Sequence, residues 1–353
     1  MAPPHDLPPA PVPSREMGTG HSRVRVAVDA MGGDLGTGVV VAGAVEAARE
    51  FGTAVTLVGQ ETEVRRHLAA YPGGALNIAV LHAPETVAMD EAPSVALRRK
   101  KQSSIRIGLE LLKRGDADAF VSAGNTGAVM ATALVVLGPL PGVERPAIAI
   151  VIPTKTGRAV LLDAGANVDC KPRHLHQFGI MGSVYAEAVL GTRVPRVGLL
   201  SIGEEESKGN ELTREAFKEL EEEEGIRFIG NVEGRDVFNG QVDVVVCDGF
   251  TGNVALKIGE GVAEVFVSLL REELARDVWS RAGALLMRRG LHRFKRRLDY
   301  SEYGGAPLFG VDGVCIIGHG RSSPKAIKNA IRVAGECVTK QVIPHIRDGV
   351  AGR

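Results

Sequence analysis

Glycine and small polar residues follow six predicted strands of this sequence, at the point where each strand passes into a turn. The segments are DAMGGD, SAGNTGA, DAGAN, SIGEEESKGN, DGFTGN and GHGRSS, beginning at Asp29, Ser122, Asp163, Ser201, Asp248 and Gly318. Glycine lets the backbone approach a ligand closely, and a following helix N-terminus offers unpaired N–H groups to an anion. Each turn alone is typical of any α/β protein, but the six together predict a shared cleft for an anionic ligand.

Charged and polar side chains in and beside these segments are the candidates for binding and chemistry. A phosphate dianion needs cationic partners as well as N–H groups, and Lys171 and Lys208 lie beside two of the segments. A lysine in a loop is also commonly a solvated surface group. Further cationic candidates are Lys155, Arg158 and Arg321.

His319 stands between two glycines, where it suits a general base or an oxyanion donor. A strand-end histidine with purely structural hydrogen bonds is an equally good interpretation of that position. The predicted substrate-binding residues are Asp29, Gly32, Gly33, Asp34, Asn125, Thr126, Asp163, Asn167, Asn210, Asp248, Thr251, Asn253 and Ser322.

Several familiar classes of site lose support because their motifs are missing. The sequence has no GxGxxG after the first strand, no GxxxxGK[ST] and no GxSxG, which disfavours dinucleotide binding, nucleoside triphosphate binding and serine hydrolysis. Its four cysteines are far apart and form no CxxC, which excludes zinc-ribbon and thioredoxin-like sites. The spacing of Cys170, His174 and His176 fits no standard metal site, so we predict no metal.

The elements that must position these residues alternate between short β-branched runs and helical patterns. This alternation predicts an α/β fold whose largely parallel sheet is covered by helices, with helices at 39–51, 172–190, 211–224, 253–275 and 324–342. AIAIVIP and AVLLDAG are separated by a short polar turn, which indicates a hairpin and hence a mixed sheet. Ligands in open α/β sheets bind beyond the carboxyl ends of the strands, so we expect all six segments at one edge.

Composition limits the domain organisation and the class of partner. The 353 residues carry 42 Lys+Arg and 42 Asp+Glu, and this zero net charge excludes a globally basic nucleic-acid binder. We predict a disordered Pro-rich tail at 1–23, with Met17 an alternative start, one α/β catalytic domain at 24–345, in one body or two lobes, and a C-terminal tail at 346–353. No apolar run of about 18 residues and no signal-peptide core are present, so a cytoplasmic location is expected.

The balanced total conceals two oppositely charged stretches. Glu204–Glu224 contains ten Glu and is typical of a solvated helix face, whereas Arg276–Arg297 contains eight Lys/Arg and one acidic residue. Apolar residues at helical spacing predict a basic amphipathic helical segment at about 265–300, suited to a membrane interface or to packing on a dimer core. A basic run at 98–101 suits an acidic partner, or a solvated helix entry. The predicted membrane or carrier-protein docking residues are Arg98, Arg99, Lys100, Lys101, Trp279, Leu286, Arg288, Arg289 and Arg293.

Seven segments taken together resemble the bacterial phosphate acyltransferase family, PlsX. They read DAMGGDLG, SAGNTGA, LLDAGANVDCKP, IGEEESKGN, FIGNVEGRD, DGFTGNVALK and GVDGVCIIGHGRSSPKAIKNA, in order from about Val24 to His345. The resemblance implies a three-layer Rossmann-like mixed sheet, similar to the fold of phosphate acetyltransferases and of the isocitrate/isopropylmalate dehydrogenases. The Pro-rich tail lies outside it.

The same resemblance implies an activity, partners and a location. Such enzymes move a long acyl chain from acyl carrier protein to inorganic phosphate, and the acyl phosphate feeds a glycerol-3-phosphate acyltransferase in phospholipid synthesis. Members of the family are typically homodimeric, cytoplasmic and peripherally membrane-associated, and they need no organic cofactor. We expect no nucleic-acid partner. We expect Lys171 and Lys208 to hold phosphate while His319 or an asparagine stabilises the oxyanion. The alternatives are a short-chain acyl-CoA phosphate transferase, a nicotinamide-dependent dehydrogenase of similar fold and a non-enzymatic membrane-associated scaffold.

Overall fold

A computed structural model describes residues 23–71, 76–298 and 300–351. The predicted tail at 1–23, apart from Arg23, and Met17 with it, therefore lie outside the described residues. The strands are β1 (Arg25–Asp29), β2 (Ala54–Gly59), β3 (Ile78–His82), β4 (Ala119–Ser122), β5 (Ala147–Ile148), β6 (Ile150–Pro153), β7 (Arg158–Leu162), β8 (Arg196–Leu200), β9 (Arg227–Val232), β10 (Val244–Val246), β11 (Ala306–Phe309) and β12 (Val314–Ile317).

Helices separate most of these strands, as the alternating sequence pattern predicts. They are α1 (Thr37–Phe51), α2 (Glu61–Leu68), α3 (Pro93–Arg99), α4 (Ser104–Arg114), α5 (Thr126–Val136), α6 (Pro172–Ala188), α7 (Glu211–Glu221), α8 (Asp236–Asn239), α9 (Gly249–Ala275), α10 (Val278–Leu286), α11 (Arg288–Leu298), α12 (Pro324–Thr339) and α13 (Val342–Ala351). The predicted α/β class with mixed strand pairing is confirmed, and the chain forms two compact units.

Unit 1 contains the described residues up to Gly138 together with Val311–Thr339. Its strands run parallel in the order β3-β2-β1-β4-β12. Val26 in β1 lies opposite Val55 in β2 and Ala119 in β4, and all three side chains are buried. Parallel strands covered by helices on both faces require continuous apolar runs, which explains the strongly apolar composition of these strands.

Unit 2 comprises Pro139–Gly310 and the C-terminal residues from Lys340. Its main sheet has the order β6-β7-β10-β8-β9, in which β6 pairs antiparallel with β7 and the other pairs are parallel. The predicted hairpin is therefore confirmed, and β5 forms a second antiparallel pair with β11. One face of the sheet packs into a core to which each fully buried valine or leucine contributes about 1.5–3 kcal/mol. This core contains Ile152, Ala159, Leu161, Val232, Val237, Val242, Val245 and Cys247.

The C-terminal part of the chain differs from the sequence-based expectation. The helix predicted at 324–342 corresponds to α12, which ends at Thr339; Gln341 then adopts a left-handed backbone with φ of 50°, and a separate helix, α13, begins at Val342. Residues 346–351, predicted to lie in a tail, belong to α13, where Ile346 and Val350 are buried. Apolar burial of these side chains is what orders the segment.

The amphipathic segment predicted at about 265–300 consists of the end of α9, then α10 and α11. Its apolar side chains are exposed to an unusual degree: Trp279 is 86% and Leu286 is 88% accessible. In the part of the chain that the structure describes, none of the helices combines the length and apolarity needed to cross a membrane.

Candidate functional site

The six glycine-rich strand ends form two groups of three, one in each unit. In unit 2 the segments at Asp163, Asp248 and Ser201 follow β7, β10 and β8, which are consecutive parallel strands. In unit 1 the segments at Asp29, Ser122 and Gly318 follow β1, β4 and β12, which are also consecutive. The expectation of one edge shared by all six is corrected, because the chain builds two separate parallel arrays.

Asp163 organises the first group. Its fully buried carboxylate accepts hydrogen bonds from the N–H groups of Ile148, Gly165, Ala166 and Asn167 at 2.7–3.1 Å, and from the Asn167 side chain at 2.9 Å. Burial raises the pKa of Asp163, whereas these hydrogen bonds oppose that rise. Every donor belongs to the protein, so Asp163 shapes the loop rather than binding substrate.

The N-terminus of α9 lies directly against this loop. The Gly249 N–H donates to the Asn167 carbonyl at 2.7 Å, and the Asp248 carboxylate caps the helix by accepting from the Thr251 N–H at 2.8 Å and from its hydroxyl at 2.7 Å. A Cβ at Gly249 would lie 2.6 Å from that Asn167 carbonyl oxygen, so glycine is required for the close approach.

Three exposed polar groups stand around the strand ends of unit 2. Lys171 is the N-cap of α6, Lys208 lies three residues before Glu211 at the start of α7, and Asn253 is the fifth residue of α9. Asn253 lies beside Gly165 of the Asp163 loop, where a Cβ on that glycine would be 3.6 Å from the Asn253 amide carbon. The three helices that follow these strands begin at the same edge of the sheet, and helix N-termini and lysine side chains both favour an anion.

Lys208 belongs to a loop that is hydrogen-bonded to β9. The Lys208 N–H and the side-chain amide of buried Asn231 both donate to the Glu205 carbonyl, at 3.0 and 2.9 Å. Asn210 accepts from the Thr213 N–H at 2.9 Å and caps α7, so its oxygen is used by the helix. Hydrogen bonds thus hold the loop at both ends, at Glu205 and at Asn210, and the Lys208 side chain is exposed.

Unit 1 repeats the buried-carboxylate arrangement. Asp29 is 1% exposed and accepts from the Ser122 hydroxyl at 2.7 Å and from the Met31 N–H at 3.1 Å. A Cβ at Gly32 would lie 2.6 Å from both this carboxylate and the Gly124 nitrogen, so the two glycine-rich turns are in contact. Burial raises the pKa of Asp29, and its hydrogen bonds lower it.

The third turn of unit 1 contacts the first. Exposed Asp34 donates its N–H to the Gly320 carbonyl at 2.7 Å, and Gly33 lies close to the same carbonyl. His319 is exposed, and its Nδ1 accepts from the Arg321 N–H at 3.1 Å. Because Nδ1 is used as an acceptor, the proton lies on Nε2, which suits an oxyanion donor better than a general base. Ser322 is buried, with its N–H on the His319 carbonyl.

Asn125 is wholly engaged in structural hydrogen bonds. Its oxygen accepts from the Ala128 N–H at 3.0 Å, and its Nδ2 donates to the carbonyls of Ala88, Met89 and Glu91 at 2.8–3.3 Å. The neighbouring Thr126 is exposed at the start of α5. The protein's own donors and acceptors engage the side chains of Asp29, Asn125, Asp163, Asn167, Asp248 and Thr251. Their role in substrate binding stays a prediction.

Two groups beside the unit 2 strand ends were missed by the motif-based prediction. Arg145, exposed just before β5, lies close enough to Cys170 and His174 to shift the pKa of both groups. His174 is buried on α6 and bonds to Lys171. His174 stands three residues after the helix cap, where a capping partner is expected, and that spacing was the available signal. The predicted candidates Lys155 and Arg158 lie at the opposite end of β7 from Asp163.

The four residues of the basic run at 98–101 differ in their contacts. Arg98, Arg99 and Lys101 are exposed, whereas the Lys100 ammonium binds the Thr86 carbonyl at 2.6 Å and the Glu91 carboxylate at 2.5 Å. The Lys100 ammonium is therefore engaged within the protein, and its predicted part in docking stays a prediction. Among the described residues, no three His, Cys, Asp or Glu side chains are grouped to hold a metal ion.

Comparison with known proteins decides the family. A model described as "Fatty acid synthesis protein" matches residues 24–345. The chain is 56% identical over 319 residues to the phosphate acyltransferase of Geobacter sulfurreducens, covering 90% of this chain and 92% of the relative. It is 52% identical over 327 residues to that of Pelotomaculum thermopropionicum, with 93% and 95% covered. The chain belongs to the phosphate acyltransferase family. The resemblance noted in the sequence is thereby confirmed, and with it the prediction of an acyltransferase acting on phosphate.

Solved structures agree on the fold of this phosphate acyltransferase family member. A phosphotransacetylase from Streptococcus pyogenes superposes with a TM-score of 0.64 at 18% identity, covering 90% of this chain and 94% of the other. EutD phosphotransacetylase from Staphylococcus aureus gives 0.61, also at 18% identity and the same coverage. A putative 4-hydroxythreonine-4-phosphate dehydrogenase from Salmonella typhimurium gives 0.53 at 14% identity, covering 89% and 99%. The expected similarity to phosphate acetyltransferases is confirmed at the level of fold.

Proposed function

We propose that this enzyme transfers a long acyl chain from acyl carrier protein to inorganic phosphate by direct attack. The observation that carries the proposal is the exposed set Lys171, Lys208 and Asn253 around three consecutive strand ends of unit 2. The family, whose model is described as a fatty acid synthesis protein, supports an acyl group of that origin. The acyl phosphate product would be consumed by a glycerol-3-phosphate acyltransferase in phospholipid synthesis.

The chemistry needs no nucleophilic side chain. A phosphate oxygen forms a bond to the thioester carbonyl carbon, the carbon–sulfur bond breaks, and the carrier thiolate leaves and takes up a proton. The protein must hold phosphate against the carbonyl and stabilise the developing oxyanion. Lys171 and Lys208 supply the positive charge for phosphate, and the Asn253 amide supplies a donor to the oxyanion.

Cys170 is poorly suited to act as a covalent nucleophile. It is half-buried beside the Asp163 loop, and burial together with Asp163 and Asp248 raises its thiol pKa to about 12. A thiol with that pKa is almost entirely protonated at neutral pH, and only the thiolate attacks a thioester efficiently. Direct transfer to phosphate is therefore favoured over an acyl-enzyme.

The direct test is formation of acyl phosphate from purified enzyme, inorganic phosphate and long-chain acyl carrier protein, with acetyl-CoA as the comparison donor. We expect the carrier-protein substrate to give the larger kcat/KM and no acylated protein in an intact-mass measurement during turnover. Faster reaction with acetyl-CoA would favour the short-chain alternative, and acyl mass on Cys170 would contradict direct attack.

Arg98 and Arg99 are proposed to dock the acidic carrier protein. Both are exposed at the end of α3. Reversing the two charges with Glu should raise the apparent KM for acyl carrier protein about tenfold and leave the phosphate KM unchanged, because rim charges mainly govern encounter. Arg65 and Arg66 of α2, an exposed arginine pair elsewhere in unit 1, provide the matched control. An equal effect of reversing either pair would show a non-specific charge effect and contradict the assignment.

Peripheral membrane binding through α10 and α11 is also proposed. Trp279 and Leu286 expose large apolar side chains, and Arg288, Arg289 and Arg293 are exposed on the adjoining helix. An amphipathic helix of this kind binds in the interface, and each cation near an anionic leaflet adds about 1 kcal/mol. A homodimer is proposed as well, since α9 leaves a stripe of apolar side chains exposed. The stripe consists of Phe250, Val254, Ile258, Val262, Val265 and Leu269.

The double substitution of Trp279 and Leu286 by serine tests the membrane proposal. Co-sedimentation with vesicles containing anionic lipid should fall by at least about tenfold, because two large apolar side chains no longer enter the interface. Neutralising the three arginines should weaken binding in a salt-dependent manner. Unchanged co-sedimentation of both variants would place membrane contact elsewhere or rule it out.

A further inference from the structure

The first turn of α6 is closed by a histidine rather than by the usual carboxylate or amide. Lys171 is the cap residue, Pro172 the first helical residue and His174 the third. The Lys171 N–H donates to His174 Nδ1 at 3.1 Å, so His174 takes the part that Glu or Gln plays in a capping box. His174 is only 4% exposed, whereas the Lys171 side chain is exposed.

These hydrogen bonds define the tautomer of the ring. Nδ1 accepts a hydrogen bond and so carries a lone pair, which places the ring proton on Nε2. Nε2 lies 3.2 Å from a Glu144 carboxylate oxygen and donates to it. Glu144 is in turn held by α6, because its N–H donates to the Gln177 side-chain oxygen at 2.9 Å, while Gln177 Nε2 donates to the Gly142 carbonyl at 2.8 Å.

The surroundings of His174 keep it neutral. Burial has the largest effect and lowers the pKa of His174, Arg145 and Lys171 lower it further, and Glu144 alone opposes them. The unfolded chain therefore binds this proton more readily, so the folded state loses stability as the pH falls below about 6.5. A proton added in the folded state must go to Nδ1, where it faces the Lys171 N–H.

We propose that His174 is a positioning residue for acyl transfer, which as a neutral Nε2–H imidazole fixes the backbone of Lys171 from which the phosphate-binding ammonium extends. The inference rests on the proposed role of Lys171 in holding phosphate. Protonation of His174 replaces the acceptor at Nδ1 with a donor, breaks the Lys171 bond and frees the first turn of α6. Phosphate binding thereby becomes sensitive to acid through a residue that never touches phosphate.

Two substitutions separate positioning from mere packing. His174→Gln keeps an acceptor for the Lys171 N–H, as Gln at this helix position commonly does, but cannot titrate. His174→Leu fills the site and removes the acceptor. We expect His174→Leu to raise the phosphate KM between about tenfold and a hundredfold, because a displaced substrate-holding group is costly. His174→Gln should stay within about twofold of the wild type at pH 8.

The pH dependence supplies a readout that packing alone does not move. The ratio of wild-type to His174→Gln kcat/KM for phosphate should fall as the pH drops through the lowered pKa of folded His174, because only the wild type carries the titrating ring. The titration of phosphate itself cancels in the ratio. Nitrogen-15 NMR of the imidazole should show Nδ1 unprotonated and Nε2 protonated at pH 8. His176 lies on the same helix as His174, is buried and bonds Glu223, so His176→Gln serves as the control. The ratio of wild-type to His176→Gln kcat/KM for phosphate should not change with pH.

The outcomes distinguish the inference from the proposed function. Normal phosphate KM in Lys171→Ala would overturn the role of Lys171 itself. A large loss in Lys171→Ala combined with a pH-independent wild-type to His174→Gln ratio, or a proton on Nδ1 at pH 8, would overturn the role of His174. If His174→Leu fails to fold, the glutamine variant and the NMR measurement still decide the question.

Discussion

Replacing Lys208 by alanine is expected to lower kcat/KM for phosphate by about two to three orders of magnitude, equivalent to about 2.7–4 kcal/mol of transition-state stabilisation. Lys208 is exposed in the loop that follows β8, three residues before the first residue of α7. Its loop is held by two hydrogen bonds to the Glu205 carbonyl, one from Lys208 and one from Asn231. Such a preorganised charge stabilises a transferring anion without reorganising during the reaction.

Lys218 provides the matched control for this experiment. It lies on α7, is exposed, and is remote from the loop that carries Lys208. Lys218→Ala should retain wild-type kinetics within about twofold. Lys208→Arg should recover part of the activity, because the charge is kept while the planar guanidinium presents a different donor geometry. Turnover of Lys208→Ala at the wild-type rate with an unchanged phosphate KM would remove Lys208 from the site.

The second large effect is expected on stability, from the substitution Gly252→Ala. An alanine Cβ at this position in α9 would overlap the Asp163 carbonyl oxygen and lie 2.9 Å from Cys247 Sγ. The Asp163 carbonyl cannot move away easily, since the N–H of the same residue donates to the Cys247 carbonyl at 2.9 Å. We expect the free energy of unfolding to fall by about 3 kcal/mol or more, because a methyl group that overlaps a backbone atom cannot be accommodated by a small side-chain movement.

Urea denaturation measures this loss, and Gly335→Ala serves as its control. Gly335 lies within α12, where an added Cβ meets no neighbouring atom. Alanine there should raise the free energy of unfolding by up to about 1 kcal/mol, because glycine is the less favourable residue inside a helix. A Gly252→Ala variant as stable as the wild type would show that α9 does not bear on the Asp163 loop as closely as the structure indicates.

Much of the fold could be predicted from the sequence because local rules dominate it. Strand β1 and helix α1 form where the apolar periodicity predicts a strand and a helix. The short polar turn before Arg158 correctly predicted a hairpin. The interruption at Gln341 escaped prediction, since a left-handed backbone at a glutamine has no strong sequence signal. The helix α3 was missed because it is only seven residues long and little of it is buried.

The candidate site was only partly predictable. Glycine-rich strand ends and the nearby Lys171 and Lys208 are readable in sequence, since their residue types express the chemistry directly. Whether a carboxylate or amide binds substrate or the protein's own backbone depends on neighbours distant in the chain. Asn125 bonds carbonyls at positions 88–91, and Asp163 bonds the N–H of Ile148, so neither choice is visible locally.

The sequence by itself determined the family, the α/β class and the strand ends that carry the chemistry, because short motifs and apolar periodicity are local properties. Only the tertiary structure decided that six strand ends form two groups of three. Strand β12 returns from position 314 to pair with β4 of unit 1, and this pairing is set by burial of apolar strands rather than by local sequence. The structure likewise decided that Lys208 is exposed while Lys100 is paired, since salt-bridge partners are chosen by folding.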